Sequence, residues 1–166
     1  DTYKIKVITN SYGPIGGGEY SADHPFMIAA KKAYDLDITV LFAGGNDGTA
    51  KGTLSPYAQA PWVIGVAAGT KEGMLADFSS RGLPREERLS DSNPNNDNSA
   101  PTITAPGTGR YFESSLSRYG FTTDIVSVRA STNLSSNGLD ADTEIPVGLI
   151  PFYTQISGTS MATPFA

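Results

Sequence analysis

Two uninterrupted apolar segments constrain the fold of this chain more than any other feature of its sequence. They read "ITVLFA" at residues 38–43 and "WVIGVAA" at residues 62–68, and neither alternates with polar residues. A strand that is apolar on both faces is typical of a parallel sheet covered by helices on both sides. Both segments are far shorter than the roughly 20 residues of a membrane span, so we expect no membrane insertion.

The segments that flank these two strands indicate an α/β fold. Residues 3–13, "YKIKVITNSYG", are typical of a strand that enters a glycine-rich loop, and residues 23–37 are typical of a helix. Asp23 or His24 can cap the start of that helix. The order strand, helix, strand, loop, strand predicts a three-layer fold, with a largely parallel sheet flanked by helices.

The second half of the chain is more polar. Residues 79–101 have no periodicity and predict a long surface loop, whereas 102–107 and 124–130 predict short strands. Further insertions occupy 108–123 and 135–146. The sequence leaves open whether the insertions at 79–101 and 108–123 contact partners or are inert loops.

Composition limits the class of protein. With 166 residues, 39% hydrophobic and 17% charged, the chain is expected to be globular and to form one domain over 1–166. A net charge of −5 disfavours a nucleic-acid partner, because binding to phosphates needs clustered Lys and Arg. The chain has no cysteine, which excludes disulfides and thiolate metal sites.

The last residues of the sequence contain the strongest candidate for chemistry, Ser160 in "SGTSMATP" at 157–164. A serine that follows Gly-Thr and precedes small helix-compatible residues is expected at a helix N-terminus, where free N–H groups stabilise negative charge. Such a hydroxyl becomes a nucleophile only beside a base. Considered alone, it is better explained as a helix-capping serine, and only the whole stretch favours a nucleophile.

The whole stretch "SGTSMATP" resembles, letter for letter, the nucleophile motif of the subtilisin-like serine proteases. Other segments resemble parts of the same family in the same order, from about residue 5 to residue 166. These segments are "TNSYG" at 9–13, "FAGGNDG" at 42–48, "PWVIGVAA" at 61–68, "LADFSSRG" at 75–82 and "ITAPG" at 103–107.

The resemblance implies the roles of two catalytic residues. Ser160 would attack the scissile carbonyl, and Asn46 would donate its side-chain amide to the oxyanion together with the backbone N–H of Ser160. The alternative for Asn46 is a plain turn residue, since Asn-Asp-Gly favours turns. No metal is implied in this site.

The resemblance also implies a cleft that binds an extended peptide by strand addition. The residues on its two sides would be Ser11, Tyr12 and Gly13, and Ala43, Gly44 and Gly45. Gly44 and Gly45 would line the specificity pocket. Many relatives have leucine where Tyr12 stands, and we expect a cleft that accepts large apolar side chains. The partners would therefore be proteins or peptides.

In this family the catalytic Asp and His precede the "NSYG" strand. The single histidine, His24, lies in "ADHPF" and lacks the family's context, and Asp1 lacks it too. We therefore expect an incomplete fold, the C-terminal part of a catalytic domain whose Asp and His segments are absent. Ser160 without its base would be a poor nucleophile. Uncovered apolar surface would favour self-association.

No cofactor is required by this interpretation, and calcium is a secondary hypothesis. Asp140, Asp142 and Glu144 could bind Ca²⁺, although they lack a full calcium-loop pattern and a solvated acidic loop explains them better. The family implies an extracellular or cell-surface protein. Two alternatives remain: a non-catalytic pseudoprotease or cell-surface binding module, and a nucleotide-binding domain that uses "GPIGGGE" or "GTGR".

Overall fold

The computed structural model describes residues 4–90, 100–113, 118–121, 124–130 and 145–166. Its centre is a four-stranded parallel sheet in the order β1-β2-β3-β4. The strands are β1 (Val7–Asn10), β2 (Thr39–Ala43), β3 (Ile64–Gly69) and β4 (Ile103–Pro106). Because all four run in the same direction, their carboxyl ends meet at one edge of the sheet, where ligands bind in open α/β sheets.

Helices cover both faces of this sheet. Helix α1 (Pro25–Tyr34) packs on one face, where its Met27 meets Val40 of β2 in a shared apolar cluster. Helix α3 (Thr159–Phe165) packs against all four strands, and its Ala162 lies in a second cluster with Leu41. Successive residues of β2 therefore face different helices, which explains its unbroken apolar sequence. The prediction of a three-layer α/β fold with a largely parallel sheet is confirmed.

Helix α1 begins with a histidine cap. The Nδ1 atom of His24 accepts a hydrogen bond from the Phe26 N–H at 3.3 Å, and Pro25 occupies the first turn. The helix ends at Tyr34, with Lys31 and Lys32 in its last turn, where cations complement the helix dipole. Of the two predicted caps, the structure uses His24.

Two antiparallel ribbons accompany the sheet. Strands β5 (Arg110–Glu113) and β6 (Arg118–Phe121) form one, and β7 (Ile125–Val128) and β8 (Tyr153–Ile156) form the other. Strand β8 leads directly into α3, so this second ribbon supports the segment that carries Ser160.

The prediction of a loop over residues 79–101 is wrong for part of that segment. The segment predicted as an aperiodic loop contains helix α2 (Arg85–Ser90). Its first turn holds Glu86 and Glu87 and its last turn holds Arg88, which is the charge order that a helix dipole favours. Short 3₁₀ turns occur at Pro56–Gln59 and Val147–Leu149.

Within the described ranges, no helix is both long enough and apolar enough to cross a membrane. Asp1, Asp140, Asp142 and Glu144 lie outside the described residues.

Candidate active site

Ser160 is the second residue of α3, and two glycines shape the backbone that leads to it. Gly158 precedes the helix with φ near +155°, a conformation that side chains disfavour. Its N–H donates to the Gly107 carbonyl at 2.8 Å. A Cβ on Gly107 would lie 2.6 Å from the Gly158 carbonyl oxygen. The start of α3 is therefore in direct backbone contact with the end of β4.

The side chains of Ser160 and Ser11 form a reciprocal pair of hydrogen bonds. Ser160 Oγ donates to the Ser11 carbonyl at 3.1 Å, and Ser11 Oγ donates to the Ser160 carbonyl at 2.7 Å. The fold therefore brings the predicted nucleophile into contact with the segment predicted to bind substrate, across 149 positions of sequence.

Asn46 is held by the residue that precedes the nucleophile. Its Oδ1 accepts from the Thr159 N–H at 2.9 Å and from Thr159 Oγ1 at 2.9 Å. Thr159 Oγ1 in turn accepts from the Gly45 N–H at 3.2 Å. Because the amide oxygen is committed to Thr159, the NH₂ group is the end of the exposed Asn46 side chain that remains free to donate to a ligand.

The loop that carries Asn46 is supported by a buried serine. Ser80 Oγ accepts from the Asp47 N–H at 3.0 Å, and the Ser80 N–H donates to the Gly45 carbonyl at 3.0 Å. Gly45 has φ near +106°, and a Cβ there would lie 2.8 Å from Ser80 Oγ. This position therefore requires glycine for both conformational and steric reasons.

A cavity of about 410 Å³ opens beside Ser160 at the carboxyl edge of the sheet. The predicted residues that line it are Ser11, Tyr12, Gly13, Ala43, Gly45, Asn46 and Ser160. Gly44 is placed differently: it is buried behind the wall, with its N–H donating to Val66 and its carbonyl accepting from Ser55. A second cavity of about 520 Å³ lies at the other end of β2 and β3, between Tyr34 and Ile64, and contains neither Ser160 nor Asn46.

His24 has two partners of its own. Its Nδ1 accepts from Phe26, and its Nε2 lies 3.2 Å from the Tyr57 hydroxyl oxygen. With Nδ1 as an acceptor, the proton of the neutral ring is on Nε2, which donates to Tyr57. Both nitrogens therefore make structural hydrogen bonds, as expected of a helix-start histidine.

Three residues of the site were missed by the sequence analysis. Thr159 and Ser80 orient Asn46 and its loop. Ser55 lines the cavity, and its buried hydroxyl has no hydrogen-bond partner among the described residues. Thr159 could have been noticed as the polar residue next to the nucleophile, whereas Ser55 carries no sequence signal.

Comparisons with known proteins agree with this geometry. A parallel sheet with a serine at the start of a helix is consistent with the subtilisin-like serine-protease fold. A model of the subtilase family matches residues 2–166. The chain belongs to the subtilase family.

Among curated proteins, the chain is similar to the membrane-bound transcription factor site-1 protease of Homo sapiens and of Rattus norvegicus. Each is 39% identical over 80 residues, which is 48% of this chain and 7% of the relative. The chain thus spans a small part of these relatives.

Several solved structures share the fold. They include the prenylagaramide maturation protease PagA (21% identity, TM-score 0.55), the S41 psychrophilic protease (24%, 0.54) and Sphericase (21%, 0.52). These similarities cover 96%, 96% and 97% of this chain and 40%, 39% and 40% of those chains. At these identities they show the fold alone. They support the α/β assignment.

In the part of the chain that the structure describes, no group of three or more His, Cys, Asp or Glu side chains could hold a metal ion. The calcium hypothesis concerns residues outside that part and stays a prediction.

Proposed function

We propose that this chain supplies the nucleophile and the oxyanion hole of a serine endopeptidase that hydrolyses peptide bonds through an acyl-enzyme. The observation that carries the proposal is the double hydrogen bond from Thr159 to Asn46 Oδ1, which orients the amide NH₂ as a donor beside Ser160. A preorganised donor of this kind is what a developing oxyanion requires.

The proposed reaction begins when Ser160 Oγ attacks the carbonyl carbon of the scissile bond and loses its proton to a base. The carbonyl oxygen becomes an oxyanion, stabilised by Asn46 Nδ2 and by the Ser160 N–H, which belongs to the first turn of α3 and has no intrahelical acceptor. When this intermediate collapses, the C–N bond breaks, the base gives the proton to the departing amine, and an acyl group remains on Ser160. Water then gives a proton to the same base and attacks the acyl group, and the acid leaves as the base returns that proton to Ser160 Oγ.

We propose that the base comes from outside these 166 residues. The chain contains one histidine, and both nitrogens of His24 make hydrogen bonds to Phe26 and Tyr57. The isolated chain is therefore expected to hydrolyse peptides very slowly, because loss of the histidine alone costs about 10⁶ in kcat, a magnitude taken from subtilisin itself.

The substrate is proposed to be a protein or peptide bound in an extended form. Its backbone would pair with Ser11–Gly13, next to the cavity that Tyr12 and Ala43 line. The relatives are named as proteases, and the name of the curated relatives refers to a membrane-bound transcription factor; those descriptions belong to the relatives. An extracellular or cell-surface location remains a proposal that derives from the family.

The first test is labelling with a fluorophosphonate, read by intact mass. The natural full-length protein, its Ser160→Ala variant and the 166-residue chain are compared. We expect one adduct on the full-length protein, mapped to Ser160, and none on the other two. Labelling of the Ser160→Ala variant would contradict the assignment of the nucleophile.

A second candidate function is a non-catalytic binding module that keeps the fold. The observation that favours it is the Ser160 hydroxyl hydrogen, which is donated to the Ser11 carbonyl and not to a base. A folded full-length protein that does not react with the fluorophosphonate, yet binds extended peptides, would support this candidate.

A further inference from the structure

Three separate segments meet at the carboxylate of Asp124. Its Oδ1 accepts hydrogen bonds from the Gly109 N–H at 2.5 Å, from Ser157 Oγ at 2.7 Å and from Thr108 Oγ1 at 3.3 Å. The donors come from the loop after β4 and from the residues between β8 and α3, whereas Asp124 itself precedes β7. A single acceptor atom thus joins Thr108 and Ser157, which lie 49 positions apart in the sequence.

The hydroxyl groups around Asp124 form an ordered chain. The Arg110 N–H donates to Thr108 Oγ1 at 2.9 Å, and the single Thr108 hydroxyl proton is shared between Asp124 Oδ1 at 3.3 Å and Ser157 Oγ at 3.1 Å. An ionised carboxylate only accepts, so it draws the hydroxyl protons towards itself. Thr108 is fully buried, and charge-assisted bonds of this kind are about twice as strong as neutral ones.

This cluster is joined to the nucleophile through consecutive residues. Ser157 bonds to Asp124, Gly158 bonds to the Gly107 carbonyl, and Thr159 bonds to Asn46. The next residue is Ser160. The position of Ser160 Oγ therefore depends on a segment that is held at every residue, and its first anchor is a carboxylate that the proposed reaction does not use.

We propose that Asp124 is a positioning residue for Ser160. Its carboxylate, acting through Ser157, fixes the chain that enters α3 and thereby keeps Ser160 and the Thr159–Asn46 pair in register. The kinetic part of this proposal rests on the proposed function, whereas the structural part does not.

The kinetic test uses the natural full-length protein and its Asp124→Ala, Asp124→Asn and Asp35→Ala variants. Asp124→Ala is expected to lower kcat and the rate of fluorophosphonate labelling by about 10²-fold, the effect of a small misplacement of a reacting group, with KM changed less than about twofold. Asp124→Asn is expected to recover part of the loss, since its amide oxygen can accept from Gly109 and Ser157. Asp35→Ala is the control, because Asp35 pairs with Lys31 in α1.

Two kinetic results would overturn the proposal. One is a labelling rate of Asp124→Ala within twofold of the wild type. The other is a loss that Asp124→Asn does not recover at all and that appears in KM instead of kcat. If Asp124→Ala does not fold, Ser157→Ala is measured in its place, since it removes one hydroxyl and the same bond to Asp124.

A structural test separates this proposal from the proposed function. Hydrogen exchange of the full-length protein is followed by mass spectrometry for a peptide over 157–163 and for one over β2. We expect Asp124→Ala to accelerate exchange of the first peptide about tenfold and to leave the second unchanged. Unchanged exchange at 157–163 would overturn the positioning role even if the wild type is an active peptidase. Accelerated exchange in a protein that never labels would support the positioning role and contradict the proposed function.

Discussion

Thr159 shows how a single hydroxyl can define the chemistry of its neighbours. Its Oγ1 accepts from Gly45 and donates to Asn46 Oδ1, so its one proton has a fixed direction. The side chain is almost fully buried, and an unpaired amide oxygen at this point would cost free energy. The hydroxyl therefore selects which end of Asn46 is available to a substrate.

We predict that Thr159→Val lowers kcat by about tenfold in the natural full-length protein, equivalent to about 1.4 kcal/mol and near the upper end for one neutral hydrogen bond. Peptide hydrolysis is the measurement. The matched control is Thr163→Val, a buried threonine in the same helix whose hydroxyl donates to the Thr159 carbonyl. An equal loss in both variants would show that packing of α3 explains the effect, and not the orientation of Asn46.

Tyr20 should make stability depend on alkaline pH. Burial, and secondarily the charge of Asp23, raises the pKa of Tyr20 above its ordinary value of 10.0. The unfolded chain therefore loses this proton first, and the free energy of unfolding falls as pH rises from about 10 through the folded pKa. Below about pH 10 Tyr20 is protonated in both states, so its contribution to the free energy of unfolding is fully present and does not change with pH.

The test of this prediction is urea unfolding between pH 8 and the alkaline limit of folding. Tyr20→Phe should flatten the alkaline decrease, and Tyr34→Phe, at an exposed ring of α1, should leave it as in the wild type. If the free energy of unfolding of Tyr20→Phe varies with pH as it does in the wild type, the alkaline decrease does not come from Tyr20.

At the scale of elements, the contact between β4 and the start of α3 leaves no room for a methyl group. A Cβ on Gly107 would meet the Gly158 carbonyl at 2.6 Å and the Cβ of Ala68 at 2.9 Å. We predict that Gly107→Ala destabilises the fold by about 1–3 kcal/mol, because backbone must move. Gly148→Ala, where nothing lies within 4 Å, should change stability by less than about 0.5 kcal/mol. Denaturant unfolding of both variants measures the difference, and equal stabilities would refute it.

The elements that the sequence predicted well are those whose pattern is local. Strands β2 and β3 follow from uninterrupted apolar runs, and α1 follows from its cap, its proline and its apolar spacing. Strand β8 was missed because its residues have no apolar alternation, and it is a strand through its pairing with β7, where Gln155 lies opposite Val126. Helix α2 was missed because its sequence has no apolar periodicity. Only the order of its charges favours a helix.

For the site, the sequence predicted the principal residues but not the hydrogen bonds that orient them. Ser160 and Asn46 were found through a resemblance to known motifs, and the structure brings both to one cavity. The bonds that orient them join residues 113 positions apart, such as Asn46 and Thr159, so no local pattern could reveal them. The position of Gly44 behind the cavity wall likewise depends on its contacts with Val66 and Ser55.

At the scale of the whole molecule, β1 is an edge strand of the described sheet and exposes apolar side chains. Val7 is 54% exposed, and Ile5 and Ile8 are exposed beside it. Unpaired edges with apolar side chains promote association.

We predict that the 166-residue chain self-associates with rising concentration, measured by sedimentation velocity, and that Val7→Lys weakens this association. Ile15→Lys, at an exposed residue outside the sheet, is the control, and an equal effect of both would point to charge alone.

The reciprocal hydrogen bonds between Ser11 and Ser160 have a consequence for the timing of the proposed reaction. The Ser11 carbonyl, which now receives the Ser160 hydroxyl, is also a backbone acceptor of the segment proposed to pair with a peptide. An arriving peptide N–H that binds this oxygen would compete with the Ser160 hydroxyl for it and would weaken the bond that holds the hydroxyl. Filling of the cleft would then make the nucleophile easier to free, whereas an empty cleft would keep the serine bound to its own backbone acceptor.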